Sequence, residues 1–228
     1  GLTHDEGPDV GGPVAPYIQS QRRDTYGKYA KLLVEKGAAY YCFCEKNESE
    51  EDSGDFGRAA DPCRDLTAEQ VQEKLAQGMP YVIRQKIPAE GTTTFHDAIF
   101  GDITVENSTL DDQVLLKRDG LPTYNFANVI DDHLMGMTHV IRGKDHLNNT
   151  ERQRYVFDYF GWKQPVYHHY GLVNIPDTML KTSLIKQSIK EGQYTGWDDV
   201  RTGTVRALER RGIRPEAIRR YWVESGIK

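Results

Sequence analysis

The stretch from Pro122 to His169 constrains the fold most, because short β-branched runs alternate there with segments of helical period. It predicts a strand over Thr123 to Phe126, a short helix near Asn128, a strand over His139 to Ile141, a helix from about Asn149 to Tyr159 and a strand near Val166 to His169. Strands that alternate with helices favour a parallel sheet with crossover helices, so the chain reads as α/β.

Upstream, Tyr26, Tyr29, Ala30 and Leu33 recur at helical spacing and Gly37 stands where a helix would stop, which predicts a helix over Gln21 to Lys36. Ala39 to Phe43 reads as a strand entering the core. Glu45 to Asp61 is acidic, lacks periodicity and reads as a mobile loop. Thr67 and Gln70 form a capping-box pattern ahead of Val71 and Leu75, with Gly78 closing the short helix. From Tyr81 to Leu116, runs such as YVIRQKI and DITVEN predict a small antiparallel sheet. The tail predicts helices at Leu184 to Glu191, Thr204 to Arg211 and Pro215 to Glu224.

Composition excludes several classes. Hydrophobic content of 38% and charged content of 28% fit a folded chain, and no apolar run is long enough to span a bilayer, so no membrane partner is expected and a cytoplasmic location is. A net charge of −5 argues against a generic nucleic-acid binder. The charge is uneven: residues 201 to 228 carry a local balance of +5, which reads either as a solvated face or as a segment facing an RNA backbone. Three cysteines are too few and too odd for a disulfide framework, and reduced thiols suit the cytosol.

Particular residues sharpen this. The run PTYNFANVIDDHLMGMTHVIRGKDHLNN from Pro122 to Asn149, with DEGPDVGG from Asp5, resembles the catalytic domain of glutamyl-tRNA synthetases, class I enzymes that activate glutamate with ATP and load it onto tRNA. The resemblance implies a partial Rossmann-type parallel sheet, an inserted α+β connective domain that binds the tRNA acceptor end, and a C-terminal helical segment. Residues 1–40 would end the first Rossmann half, 41–122 would be the insertion, 123–175 the second half, and 176–228 a KMSKS-like loop with the start of a helical stem-contact domain. It also implies a HIGH-bearing region ahead of Asp5 and an anticodon-reading region beyond Lys228, so the chain alone is expected to form adenylate weakly or not at all.

The resemblance assigns roles as well. Arg142 of the RGxDH run would hold glutamate, and a guanidinium suits a carboxylate because its planar fork donates two parallel hydrogen bonds. Tyr124 and Asn128 would line the glutamate pocket, joined by His146; Asp145 would approach ATP, and Lys181 of DTMLKTS would stabilise the reacting triphosphate as the one lysine of a degenerate KMSKS loop. ATP enters with Mg2+ as substrate. Asp131, Asp132 and His133 read as structural, with contact to the tRNA end left open, because the substrate's own carboxylate attacks the α-phosphate and needs no protein base. His139 reads as a satisfied strand histidine.

Cys42, Cys44 and Cys63 resemble a structural zinc set in the insertion of some relatives, whose fourth ligand, a histidine, is Asp65 here; idle thiols are the alternative. The tRNA partner implied is tRNA(Glu), with tRNA(Gln) left open. Two other readings stand beside this one: a shortened glutamyl-queuosine-tRNA(Asp) synthetase-like paralogue, and a noncatalytic module that grips an acceptor stem.

Overall fold

A computed structural model describes residues 3–44, 61–171 and 175–226. Two compact units emerge among the described residues, His4–His169 and a second made of residues 170–226 with Thr3. The acidic run predicted as a loop lies, up to residue 60, outside the described residues.

In the first unit, α1 (Arg23–Glu35) buries Tyr26, Ala30 and Leu33 on one stripe, as their spacing predicts. Gly37 follows with φ of 71°, a left-handed conformation that glycine adopts without strain and that turns the chain into β1 (Ala39–Cys42). The helix α2 (Ala68–Ala76) carries the full capping box: the Thr67 hydroxyl accepts from the Gln70 backbone N–H and the Gln70 side chain accepts from the Thr67 N–H.

The strands between 81 and 116 depart from the single antiparallel sheet expected. β2 (Val82–Gln85) pairs antiparallel with β1 on one side and with β5 (Val114–Leu116) on the other. The hairpin of β3 (Thr92–Asp97) and β4 (Gly101–Glu106) joins a different, four-stranded sheet of order β4-β3-β7-β6, built with β6 (His139–Gly143) and β7 (Val166–Tyr170). There β3 runs parallel to β7, in register at Asp97 and Tyr167. Local alternation marks a strand; it carries no information on which distant strand completes its ladder.

A second correction concerns Thr123 to Phe126. Predicted as a strand, this stretch begins α3 (Tyr124–Leu134). Phe126, Ala127, Val129 and Ile130 are all buried, a 3.6-period face that outweighs the β-like texture of Thr-Tyr-Asn-Phe. Thr123 is extended and tied to β5, its N–H donating to the Leu115 carbonyl and its hydroxyl to that of Val114. The helix α4 (Leu147–Phe160) packs on α3, and the main core gathers Tyr26, Leu33, Ile83, Leu115, Phe126, Ile130, Val156 and Phe157 from α1, α3, α4 and the three-stranded sheet.

The second unit holds α5 (Thr182–Lys190), α6 (Val205–Arg210) and α7 (Pro215–Ser225), within a residue or two of expectation. Proline opens α7 where its missing N–H costs nothing. No helix among the described residues is long and apolar enough to cross a membrane.

Candidate active site

The C-terminal end of β6 collects the site, where open α/β sheets bind ligands. Arg142, the next-to-last residue of that strand, turns its guanidinium onto a buried polar bed. Its Nε donates to His169 Nε2 at 2.9 Å, and its Nη2 donates to Thr150 Oγ1 at 2.6 Å and to Gln153 Oε1 at 2.9 Å. The guanidinium carbon stands 5.6 Å from the centroid of the Tyr167 ring. Nη1 is buried and has no hydrogen-bond partner among the described residues. An unmet donor of a charged group is costly, and a functional role is one explanation for such an exception.

Tyr124, Asn128 and His146 form a second cluster. Tyr124 and Asn128 stand one turn apart on α3, with Asn128 Nδ2 3.4 Å from the Tyr124 hydroxyl. Tyr124 is 49% exposed, an unusual state for a tyrosine on a core helix, and its ring lies 5.8 Å from that of His146. A short 3-10 turn, Lys144–His146, carries the chain from β6 into α4 and thereby sets His146 and Asp145 four and three residues beyond Arg142. Asn149 Nδ2 lies 3.2 Å from His146 Nδ1. Among the described contacts Arg142 bonds to neither Tyr124 nor Asn128. Lys181 belongs to the C-terminal unit, exposed at the residue before α5.

The acidic pair on α3 divides. Asp131 is buried and accepts from the Tyr26 hydroxyl, Arg22 Nε and Gln19 Nε2, which is a structural tie. Asp132 has a different environment: burial first, then the neighbouring Asp131 charge, push its carboxyl up to about 6 against the opposing pull of Arg142. The folded state therefore holds this proton more tightly than the unfolded chain does. Its stabilising share is complete below about pH 4 and is lost as pH rises through 6. Asp132→Asn, which mimics the protonated form, is expected to melt at the same temperature as the parent near pH 4 and to be more stable by on the order of 1 kcal/mol at pH 8; equal melting curves at both pH values would refute this. His139 is exposed on β6, with Nδ1 3.0 Å from the Thr138 hydroxyl.

Sequence reasoning missed His169, Thr150 and Gln153, which bond to Arg142, Asp97, which bonds to His169, and Asp61, which joins the cysteines. The ligand atoms of Cys42, Cys44, Asp61 and Cys63 all lie within 4.8 Å of one another. Cys44 Sγ is 3.6 Å from Cys63 Sγ and 3.9 Å from Asp61 Oδ1. A tetrahedral zinc with sulfur at about 2.3 Å sets its sulfurs about 3.8 Å apart, so the donors fit a divalent cation. Asp65, by contrast, points its carboxylate to Lys86 Nζ at 3.4 Å and is largely exposed. Burial, the Cys63 hydrogen bond and the adjacent Cys42 push the Cys44 thiol up to about 12.

Residues 4–228 match the family model for tRNA synthetases class I (E and Q), catalytic domain. The chain belongs to that family. It is 57% identical over 171 residues to the glutamate–tRNA ligase of Clostridium novyi (strain NT), covering 74% of this chain and 35% of that protein. The Clostridium kluyveri glutamate–tRNA ligase is 55% identical over 175 residues, again 74% of this chain and 36% of the relative. This member of the class I family thus spans about a third of the length of the curated relatives it matches. Among solved structures, the glutamate-tRNA synthetase of Elizabethkingia anophelis superposes with a TM-score of 0.71 at 36% identity, over 84% of this chain and 41% of that one. A glutamate tRNA ligase from Elizabethkingia meningosepticum, solved in complex with its amino acid, gives 0.70 at 36% identity, over 82% and 39%.

Proposed function

We propose that this chain is part of a glutamate–tRNA ligase, which activates glutamate with ATP and transfers it to tRNA(Glu) in the cytoplasm. The observation that carries the reading is Arg142: a half-buried arginine at the end of a sheet strand, fixed on two of its nitrogens and without a hydrogen-bond partner among the described residues on the third. A carboxylate of glutamate meets that third nitrogen. Tyr124, which is exposed, and the half-buried Asn128 and His146 contribute a hydroxyl, an amide and an imidazole to the amino acid's polar groups. Asp145 and Lys181 serve ATP, which enters with Mg2+. Catalysis in this scheme is positioning and charge stabilisation, since the substrate carboxylate is itself the nucleophile. Residues 41–122 grip the acceptor end between two Rossmann segments, 1–40 and 123–175, and 176–228 begin the stem-contact segment; tRNA(Gln) is a second candidate substrate.

The test is direct binding. Isothermal titration of the chain with glutamate and with a non-hydrolysable glutamyl-adenylate analogue should give binding that Tyr124→Phe weakens and that aspartate does not reproduce; absence of binding to either ligand counts against the reading.

Zinc belongs to the same proposal, with Cys42, Cys44 and Cys63 as ligands and Asp61 as the fourth. When bound it would cross-link β1 to the segment ahead of α2 and carry no chemistry of its own. The expected result is about one equivalent of zinc per chain by elemental analysis, lost in Cys63→Ser. Cobalt substituted for it should show sulfur charge-transfer and tetrahedral ligand-field bands, with the ligand-field bands shifted in Asp61→Ala and unmoved in Asp65→Ala. A metal-free chain, or bands that respond to Asp65 instead, would remove this part.

A further inference from the structure

Two buried polar relays converge on Arg142, and both have a fixed direction. The first begins at Asp97, the last residue of β3. Its Oδ1 accepts from the backbone N–H groups of Ile99 and Phe100, each at 2.9 Å, and its Oδ2 accepts from the His169 backbone N–H at 3.1 Å and lies 2.7 Å from His169 Nδ1. Asp97 and His169 are both 0% exposed. A carboxylate ringed by donors can only accept, so His169 Nδ1 keeps its proton and donates it in a hydrogen bond to Asp97 Oδ2, and in the neutral ring Nε2 is left bare. A bare Nε2 is what Arg142 Nε requires, because a guanidinium can only donate.

The second relay runs through amides. Arg142 Nη2 donates to Gln153 Oε1, Gln153 Nε2 to Asn125 Oδ1, Asn125 Nδ2 to Gln113 Oε1, Gln113 Nε2 to Gln85 Oε1, and Gln85 Nε2 to the Arg152 carbonyl. One end is a pure donor and the other a pure acceptor. The orientation of every amide between them is therefore fixed, since one flipped amide would oppose two like groups. The relay passes from β2 through α3 and α4 to β6, and it commits Nη2.

We propose that Asp97 and His169 are positioning residues that select which guanidinium nitrogen of Arg142 is left for substrate, holding Nε by a locked histidine tautomer so that Nη1 remains the uncommitted donor for the glutamate carboxylate. The inference rests on the reading of Arg142 as the cation for glutamate. Asp97→Asn exchanges one carboxylate oxygen for an N–H2 donor toward His169 Nδ1, which drives the ring to its Nε2–H form and sets that proton against the Arg142 Nε–H. His169→Gln keeps an acceptor in reach of Arg142 Nε, whereas His169→Leu removes it.

The experiment uses the 228-residue chain at pH 7.5. Long-range proton–nitrogen correlation spectra report the His169 tautomer, the Arg142 Nε–H resonance reports its protection from exchange, and calorimetry reports glutamate affinity, with circular dichroism confirming the fold of each variant. Expected are an Nδ1–H tautomer in the parent chain, an Arg142 Nε–H lost to exchange in Asp97→Asn and His169→Leu but retained in His169→Gln, and glutamate affinity about tenfold lower in the first two. An Nε2–H or doubly protonated His169 in the parent overturns the proposal, as does a His169→Leu that matches His169→Gln in both the Arg142 signal and affinity. Should glutamate fail to bind the parent chain, the functional reading falls, and the tautomer with the Arg142 resonance still decides the positioning claim either way.

Discussion

Arg142→Lys is expected to bind glutamate nearly as poorly as Arg142→Ala, with both losing on the order of a hundredfold in affinity, about 3 kcal/mol. The usual view of this exchange as conservative fails here for a geometric reason. Arginine spends Nε on His169 and Nη2 on Thr150 and Gln153, and still has Nη1 to offer. Lysine has one nitrogen to cover three directions. Placed on the substrate, it abandons His169 Nε2 and the Gln153 carbonyl inside the protein; placed on those acceptors, it no longer meets the carboxylate. Titration calorimetry checks this, with unfolding curves run alongside to separate affinity from stability. A lysine variant within threefold of the parent would show that charge alone binds the ligand and that the buried acceptors are irrelevant to it.

What the sequence disclosed follows the range of the interactions involved. The capping box at Thr67, the stripe Tyr26-Ala30-Leu33 and the proline that opens α7 are contained within one to three turns, and each appears where it was expected. Arg142 was singled out because its motif is local. Its partners were not: His169 lies 27 residues away, and Asp97 lies 72 from His169, on strands whose pairing no local pattern encodes. One signal was available. Asp97 follows Thr93 and Phe95 at a spacing of two, on the face of β3 that is buried throughout, and an acid on a buried strand face calls for a partner. Asp61 was hidden differently, because it precedes Cys63 by two residues where the resemblance directed attention to the residue two beyond. The misread start of α3 shows how β-branched and aromatic residues at a helix's first turn imitate a strand until the later buried positions declare the period.

Asp131 carries a large expected stability effect on α3. Its carboxylate accepts from the Tyr26 hydroxyl at 2.7 Å and from Arg22 Nε at 2.8 Å, on side chains that are 0% and 9% exposed, and so ties α3 to the start of α1 across 109 residues of sequence. Asp131→Ala strands a buried guanidinium and a buried hydroxyl together, for which about 3–5 kcal/mol of destabilisation is expected in urea unfolding followed by circular dichroism. Asp131→Asn should cost less, because its carbonyl still accepts from Tyr26 and only the charge opposite Arg22 is lost. The combination Tyr26→Phe, Arg22→Met and Asp131→Leu should recover much of the loss, since the penalty lies in unpaired groups and not in the absence of the ion pair itself. If Asp131→Ala unfolds within about 1 kcal/mol of the parent, the tie is not structural. The consequence reaches the site, because Tyr124, Asn128 and Asp131 lie along one side of α3: the buried end of that side fixes the helix on the core, and the exposed end presents the hydroxyl and amide assigned to glutamate. Weakening of the tie in Asp131→Asn, a variant mild enough to stay folded, should therefore reduce glutamate binding less than any change at Arg142 does, by a few-fold at most, since it loosens the helix that carries Tyr124 and Asn128 and leaves the proposed cation in place.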